Sequence, residues 1–183
     1  MTFKRWLPTF LAFPLGGLLA IETVGSIGGP LSAAAGGLLA GAVIGAGQWL
    51  ALRAHGITSR WIARTAVAMS AGPAVAAALT GTGTDVPDLA LSGLVAGAAV
   101  GAAQSGLLGG GRRTTATWTA ATAAAWTLGW IATASIGVDV ERGYHVFGSA
   151  GALLVTVLTG LVLRRVFAAA PDAGIARSAV PAA

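Results

Sequence analysis

The sequence contains no cysteine, and only 9% of its 183 residues are charged. The first absence excludes disulfides, thiol catalysis and thiolate metal sites. The second excludes an ordinary water-facing surface, since a soluble domain carries about 25% charged residues. Catalytic patterns are missing too. There is no Gly-x-Ser-x-Gly elbow, no HExxH, no P-loop, no EF-hand or His-rich zinc spacing, and no pair of carboxylates inside an apolar stretch. These absences argue against an enzyme, a metal site and a bound cofactor.

What fills the sequence instead is apolar and small. Hydrophobic residues make up 55% of it and glycine contributes 28 positions, with a mean hydropathy of +0.79. Glycine at this level is normal where membrane helices pack closely. Six apolar stretches are long enough to span a bilayer, at about 6–27, 31–52, 61–80, 89–108, 115–137 and 146–163. Turn or charge signals separate them: GGP at 28–30, RAHGITSR at 53–60, GTGTDVPD at 81–88, GGGRR at 109–113 and VDVERGYH at 138–145. The expected fold is an all-α integral membrane domain over 1–165, with 166–183 a disordered cytoplasmic tail.

Charge placement predicts the topology. Lys4 and Arg5 precede the first span, and Arg53, Arg60 and Arg64 surround the second connection. Arg112 and Arg113 lie in the fourth connection, and Arg164 and Arg165 follow the last span. The alternate connections hold Asp85, Asp88, Asp139 and Glu141, with Glu22 at the end of the first span and Arg142 the lone cation. The positive-inside rule then puts both termini in the cytoplasm. It also accounts for the net charge of +5 without nucleic acid, for which no readout face is visible. The bases meet lipid headgroups instead. Trp6, Trp49, Trp61 and Trp118 fall at the same predicted ends, where indole suits the headgroup boundary. Trp126 and Trp130 lie deeper, one turn apart on one face, and read as packing residues or lipid-facing bulk rather than a ligand cage. Lys4-Arg5, an apolar run and SAAA resemble a signal peptide, but Glu22 and Pro30 fit a single short apolar region poorly, and the repeat described next needs the first span.

Shifted by 56 residues, GLLAGAVIGAGQ at 37–48 lies over GLVAGAAVGAAQ at 93–104. Gly37, Gly41, Gly45 and Gln48 become Gly93, Gly97, Gly101 and Gln104. A fainter third copy, shifted by 111, offers Gly148, Ala152, Thr156 and Thr159. Its partner helix is the first span, because RW at 5–6 echoes RW at 60–61. The expected architecture is three parallel hairpins, pseudo-threefold, the third split between the chain ends. Each glycine stripe advances by four, four and three, so it occupies one helix face, and the stripes are expected to converge on a common axis as a glycine zipper. Gln48, Gln104 and Thr159 end the stripes and are expected to form one polar layer. That layer reads either as a structural lock or as a gate or site. Glu22, at the outer end of the first span, reads as an interfacial carboxylate or as an ionisable coupling site. Asp85, Asp88, Asp139, Glu141 and His145 are the oxygen- and nitrogen-bearing groups of the outer loops, a weak basis for a cation site. Arg64 is placed to snorkel, and Pro8, Pro14 and Pro73 are placed to kink their helices.

The run Gly41-Ala-x-x-Gly45-x-x-Gln48-Trp49-Leu-x-Leu-Arg53 resembles a motif of uncharacterised multi-spanning bacterial membrane proteins, where it recurs within one chain. The second copy departs from it, with Ser105 where Trp49 stands. The resemblance implies the bacterial cytoplasmic membrane and no assigned activity. A mitochondrial-carrier-like reading fails, since no Pro-x-Asp/Glu-x-x-Lys/Arg follows the odd spans. Two function classes remain: a small transport or permeation protein using the polar layer, and a membrane scaffold or partner-binding subunit using glycine-stripe packing. The partners implied are the bilayer and a second copy or another membrane protein.

Overall fold

The computed structural model describes residues 2–142 and 144–169. Within them the chain is helical with no strand. The main elements are α1 (Phe3–Val24), α2 (Pro30–Leu52), α3 (Arg60–Thr80), α4 (Val86–Ser105), α5 (Gly111–Ser135) and α6 (Ser149–Ala169). Five of them are long and apolar enough to cross a membrane: α1, α2 with its 3-10 turn to His55, α3, α4 and α6. The remaining helix, α5, has 25 residues and seven threonines in its sequence. The hydroxyls of Thr122, Thr127 and Thr133 donate to the carbonyls of Trp118, Ala123 and Gly129 one turn back. Those polar atoms therefore make no demand on the surroundings.

Local chemistry sets the breaks. Gly25, with φ +87°, stops α1, a conformation that favours glycine. The short first connection is therefore a true break rather than a bend in one long helix. Asp85 caps α4, its carboxylate accepting from the Asp88 N–H at 2.9 Å. Pro73 is absorbed inside a continuous α3. In α1, by contrast, Pro8 lies within a 3-10 turn, Leu7–Leu11, and Pro14 follows it; proline's missing N–H disfavours regular α-helix there.

The helices form a ring in chain order. Each packs against the next, and α6 returns to pack against α1. Two buried apolar clusters make up the interior. At the basic end, Trp6, Trp61 and Trp118 are fully buried with Leu52, Leu108 and Leu163. Ile44, Val100 and Val155 occupy the middle. At the opposite end Phe147 stacks on Phe13 (5.2 Å between centroids) and meets Trp126 and Trp130 edge-on at 5.2 and 5.9 Å.

Three expectations need correction. Trp6, Trp61 and Trp118 are not at a headgroup boundary but inside the bundle, because their indole N–H groups find acceptors there. Val146 and Phe147 do not open the last helix. They belong to the α5–α6 connection, which folds inward and is pinned by the Gly148 N–H on the Thr133 hydroxyl at 3.1 Å. The last helix also runs to Ala169 rather than stopping near 163. The rest of the expected tail, 170–183, lies outside the described residues.

Candidate functional site

The glycine stripes determine how the polar layer is built. A Cβ on Gly41 would sit 2.5 Å from the Met69 Cβ and 2.9 Å from the Ala66 Cα. One on Gly45 would sit 3.0 Å from the Ile62 Cα, and one on Gly37 would collide with the Met69 carbonyl. Gly93, Gly97 and Gly101 stand in the same relation to Trp126, Thr122 and Thr119, each within 2.7 Å. The stripes of α2 and α4 therefore face α3 and α5, the next helices in the chain. They do not converge on a common axis. Each lets one backbone seat directly on its neighbour. Of the third set, Ala152 and Thr156 are buried. A Cβ on Gly148 would come no nearer than 3.5 Å to any neighbour, meeting Thr133 and Val138 at ordinary contact distance.

This close seating brings each tryptophan to a glutamine. The Trp61 indole N–H donates to Gln48 Oε1 at 3.0 Å, and the Trp118 indole N–H donates to Gln104 Oε1 at 3.2 Å. Gln104 Nε2 donates to Gln48 Oε1 at 3.0 Å and to the Thr65 hydroxyl oxygen at 2.9 Å. The Thr65 hydroxyl in turn donates to the Trp61 carbonyl at 2.8 Å. An indole can only donate, so these contacts also fix which end of each amide is oxygen. Gln48 is 7% exposed and Gln104 1%. The Trp61 and Trp118 rings lie 6.3 Å apart, tilted by 51°. Four helices, α2 to α5, are tied by this one network.

Thr159 does not join it. Its hydroxyl donates to the Val155 carbonyl at 2.7 Å, within its own helix. Threonine is two bonds too short to present an acceptor where the glutamine amides do. The Trp6 indole goes instead to the Thr156 carbonyl at 2.9 Å. Gly160 makes that approach feasible: a Cβ there would lie 2.5 Å from the Trp6 ring. The Thr156 hydroxyl is left buried without a partner.

The network has no ionisable member. It cannot carry a proton by titration, and its only acceptors are neutral oxygens already engaged. One helical turn on either side, Ile44, Val100 and Val155 and then Leu52, Leu108 and Leu163 are buried in apolar clusters. Glu22 lies apart, exposed at the end of α1. Among the described residues no three His, Asp or Glu side chains gather to hold a metal.

No family model, no curated protein and no solved structure matches the chain.

Two features of the structure have no clear local signal in the sequence. The first is the indole donors, although Trp61 and Trp118 follow their glutamines by 13 and 14 residues, a repeated interval that was visible. The second is His145, which turns inward at the other end. It is 4% exposed, with Nε2 2.8 Å from the Gly25 carbonyl oxygen and the ring against Gly36. With Nε2–H donating to that carbonyl, Nδ1 is a lone pair, and it has no partner. His145 also lines a cavity of about 70 Å³ with Trp126, Trp130, Pro73 and Ser92.

Proposed function

We propose that the chain is a six-span bundle of the bacterial cytoplasmic membrane, with both termini inside, that serves as a structural or partner-binding subunit. Its amide and indole layer is a lock between helices rather than a gate. The observation that carries this reading is the closure of Gln48 and Gln104 on each other and on two indoles, with buried aliphatic side chains one turn away on both sides. A gate needs a polar surface that water or solute can reach. The glycine stripes are used up inside the bundle, so a partner would dock on the leucine-rich outer face, as on Leu15 and Leu18 of α1.

Support for a threefold hairpin plan comes from equivalent contacts. Trp6, Trp61 and Trp118 are buried beside Leu52, Leu108 and Leu163. Gly16 abuts Ala40, Gly72 abuts Ala96, and Gly129 abuts Gly151. The α1 member is one residue closer to its tryptophan than the other two. The 3-10 turn accounts for this, since it rises about 0.5 Å more per residue than α-helix and reaches the same height with fewer residues. The resemblance of the Gly-Ala-x-x-Gly-x-x-Gln-Trp run supports the bacterial membrane, and the alternating arginines support the orientation.

Reconstitution tests the lock. Proteoliposomes of the unmodified protein should show no flux of water-soluble ions or neutral solutes above protein-free vesicles. Solute flux that Gln48→Leu/Gln104→Leu abolishes, in a variant that still folds, would overturn the reading. A transport reading keeps one specific support, the cavity beside His145 with its free nitrogen lone pair. A solute whose flux falls with His145→Phe would favour it.

A further inference from the structure

At the basic end, the seam between α1 and α2 is hollow on its outer side. The hollow measures about 690 Å³ and is walled by Leu11, Leu15, Val43 and Leu50, with Arg5 and Arg53 at its rim. We propose that it binds one anionic phospholipid, an acyl chain in the leucine trough and the phosphate between the two arginines. This rests on the membrane-spanning reading, and it adds a ligand that the reading does not require.

A comparison within the molecule explains why space exists here. In the α3–α4 seam, Arg64 reaches across, donating to the Ala103 carbonyl at 3.1 Å, with its guanidinium against Gly106. The residue 55 positions before Arg64 is Thr9, and the one 56 before Ala103 is Gly47. Both line the hollow. Thr9, a short side chain, stands where the other seam has an arginine plug, while Gly47 lets Ala12 pack close. Thr9 is 5% exposed and its hydroxyl has no partner, so the seam contains an unmet polar group as well as empty volume.

The chemistry of the lining selects the occupant. Leu11, Leu15 and Leu50 are 51%, 61% and 55% exposed, so the trough opens outward, toward lipid. Arg5 and Arg53 are exposed, and the Arg53 guanidinium is steadied 5.9 Å from the Trp49 ring centre. Guanidinium forks suit phosphate oxygens, and basic pockets between membrane helices bind anionic headgroups. No carboxylate lines the hollow, so a headgroup ammonium gains nothing there. A peptide partner would use the leucines but would need its own acidic group at the same height, whereas an anionic lipid supplies chain and charge in the order the walls present them.

The test is native mass spectrometry of the full-length protein in detergent, titrated with phosphatidylglycerol or with phosphatidylcholine of the same acyl chains. One phosphatidylglycerol should be retained, at least about tenfold more strongly than phosphatidylcholine. Arg5→Gln/Arg53→Gln should weaken it by roughly 30-fold, the loss expected for two surface cations. Arg112→Gln/Arg113→Gln, the same charge change elsewhere, should alter it by less than about twofold. Val43→Trp, which fills the trough, should displace the lipid with both arginines intact. Equal retention of the two lipids, equal loss from the two arginine pairs, or full binding by Val43→Trp would each overturn the proposal. None of these results depends on whether the bundle conducts, so the lock and the lipid site fail separately.

Discussion

Gln104→Leu removes the centre of the polar network while nearly preserving side-chain size. Three hydrogen bonds go with it: those to Gln48 Oε1 and the Thr65 hydroxyl, and the one received from the Trp118 indole. Side-chain hydrogen bonds between membrane helices average about 0.6 kcal/mol each and reach about 1.7. The Trp118 N–H is also left without an acceptor in a fully buried position, which costs about 1–3 kcal/mol. The expected loss is therefore about 3–5 kcal/mol. Thr159→Val breaks only bonds within its own helix and should cost under about 0.5 kcal/mol. Gln48→Leu should fall between, since Gln104 keeps its bond to Thr65. The assay is reversible unfolding in detergent mixtures, followed by circular dichroism and by tryptophan fluorescence. If Gln104→Leu lies within about 0.5 kcal/mol of the unmodified protein, or Thr159→Val is as damaging, the network does not hold the bundle.

Further outcomes follow from single contacts. Gly97→Val places side-chain atoms where the Thr122 carbonyl would be 2.7 Å from a Cβ, and should destabilise by about 1–3 kcal/mol or more in the same assay. Thr156→Val replaces a buried hydroxyl that has no partner with a methyl of equal size, and should leave stability unchanged or raised by up to about 1 kcal/mol. Phe147→Ala removes the aromatic that meets Phe13, Trp126 and Trp130, at a cost of about 3–5 kcal/mol. Asp85→Cys and Arg112→Cys, in a chain with no native cysteine, should be labelled from opposite sides of sealed vesicles; labelling from one side would refute the alternating topology.

The helices themselves were largely legible, because length, hydropathy and the Gly, Pro and charge breaks act locally. Arg60–Thr80 and Pro30–Leu52 lie within a residue of their expected bounds at both ends. The direction of the glycine stripes was not legible. A stripe says that something approaches closely, but a helix face does not name its neighbour, and here the neighbour is the next helix rather than the axis. The tryptophans misled for a related reason. Indole at a span's end is comfortable at a headgroup boundary or inside a bundle, and only the position of an acceptor decides between them. Gln48 and Gln104 were visible as amides in need of a partner, because they are costly alone in hydrocarbon, but the sequence left open whether that partner was another layer residue, a backbone carbonyl or water; they bond to each other. Thr159 passed as an equivalent because it is polar, yet its reach, not its polarity, excludes it from the layer. The inward fold of His145 and Phe147 depends on contacts with Gly25, Gly36 and Phe13, more than a hundred residues away in sequence, and no local pattern announces it.

The most direct test of the lock asks whether water reaches it. Val100→Cys and Gln104→Cys place a thiol one turn from the layer and within it, at positions 2% and 1% exposed. Ser59→Cys, on an exposed turn, is the reference. A membrane-impermeant maleimide applied to both sides of the membrane should label Ser59→Cys promptly. It should leave Val100→Cys and Gln104→Cys unmodified until the protein is denatured. Labelling of Val100→Cys in the folded protein at the reference rate would mean that the axis is open, and the layer would then be a gate.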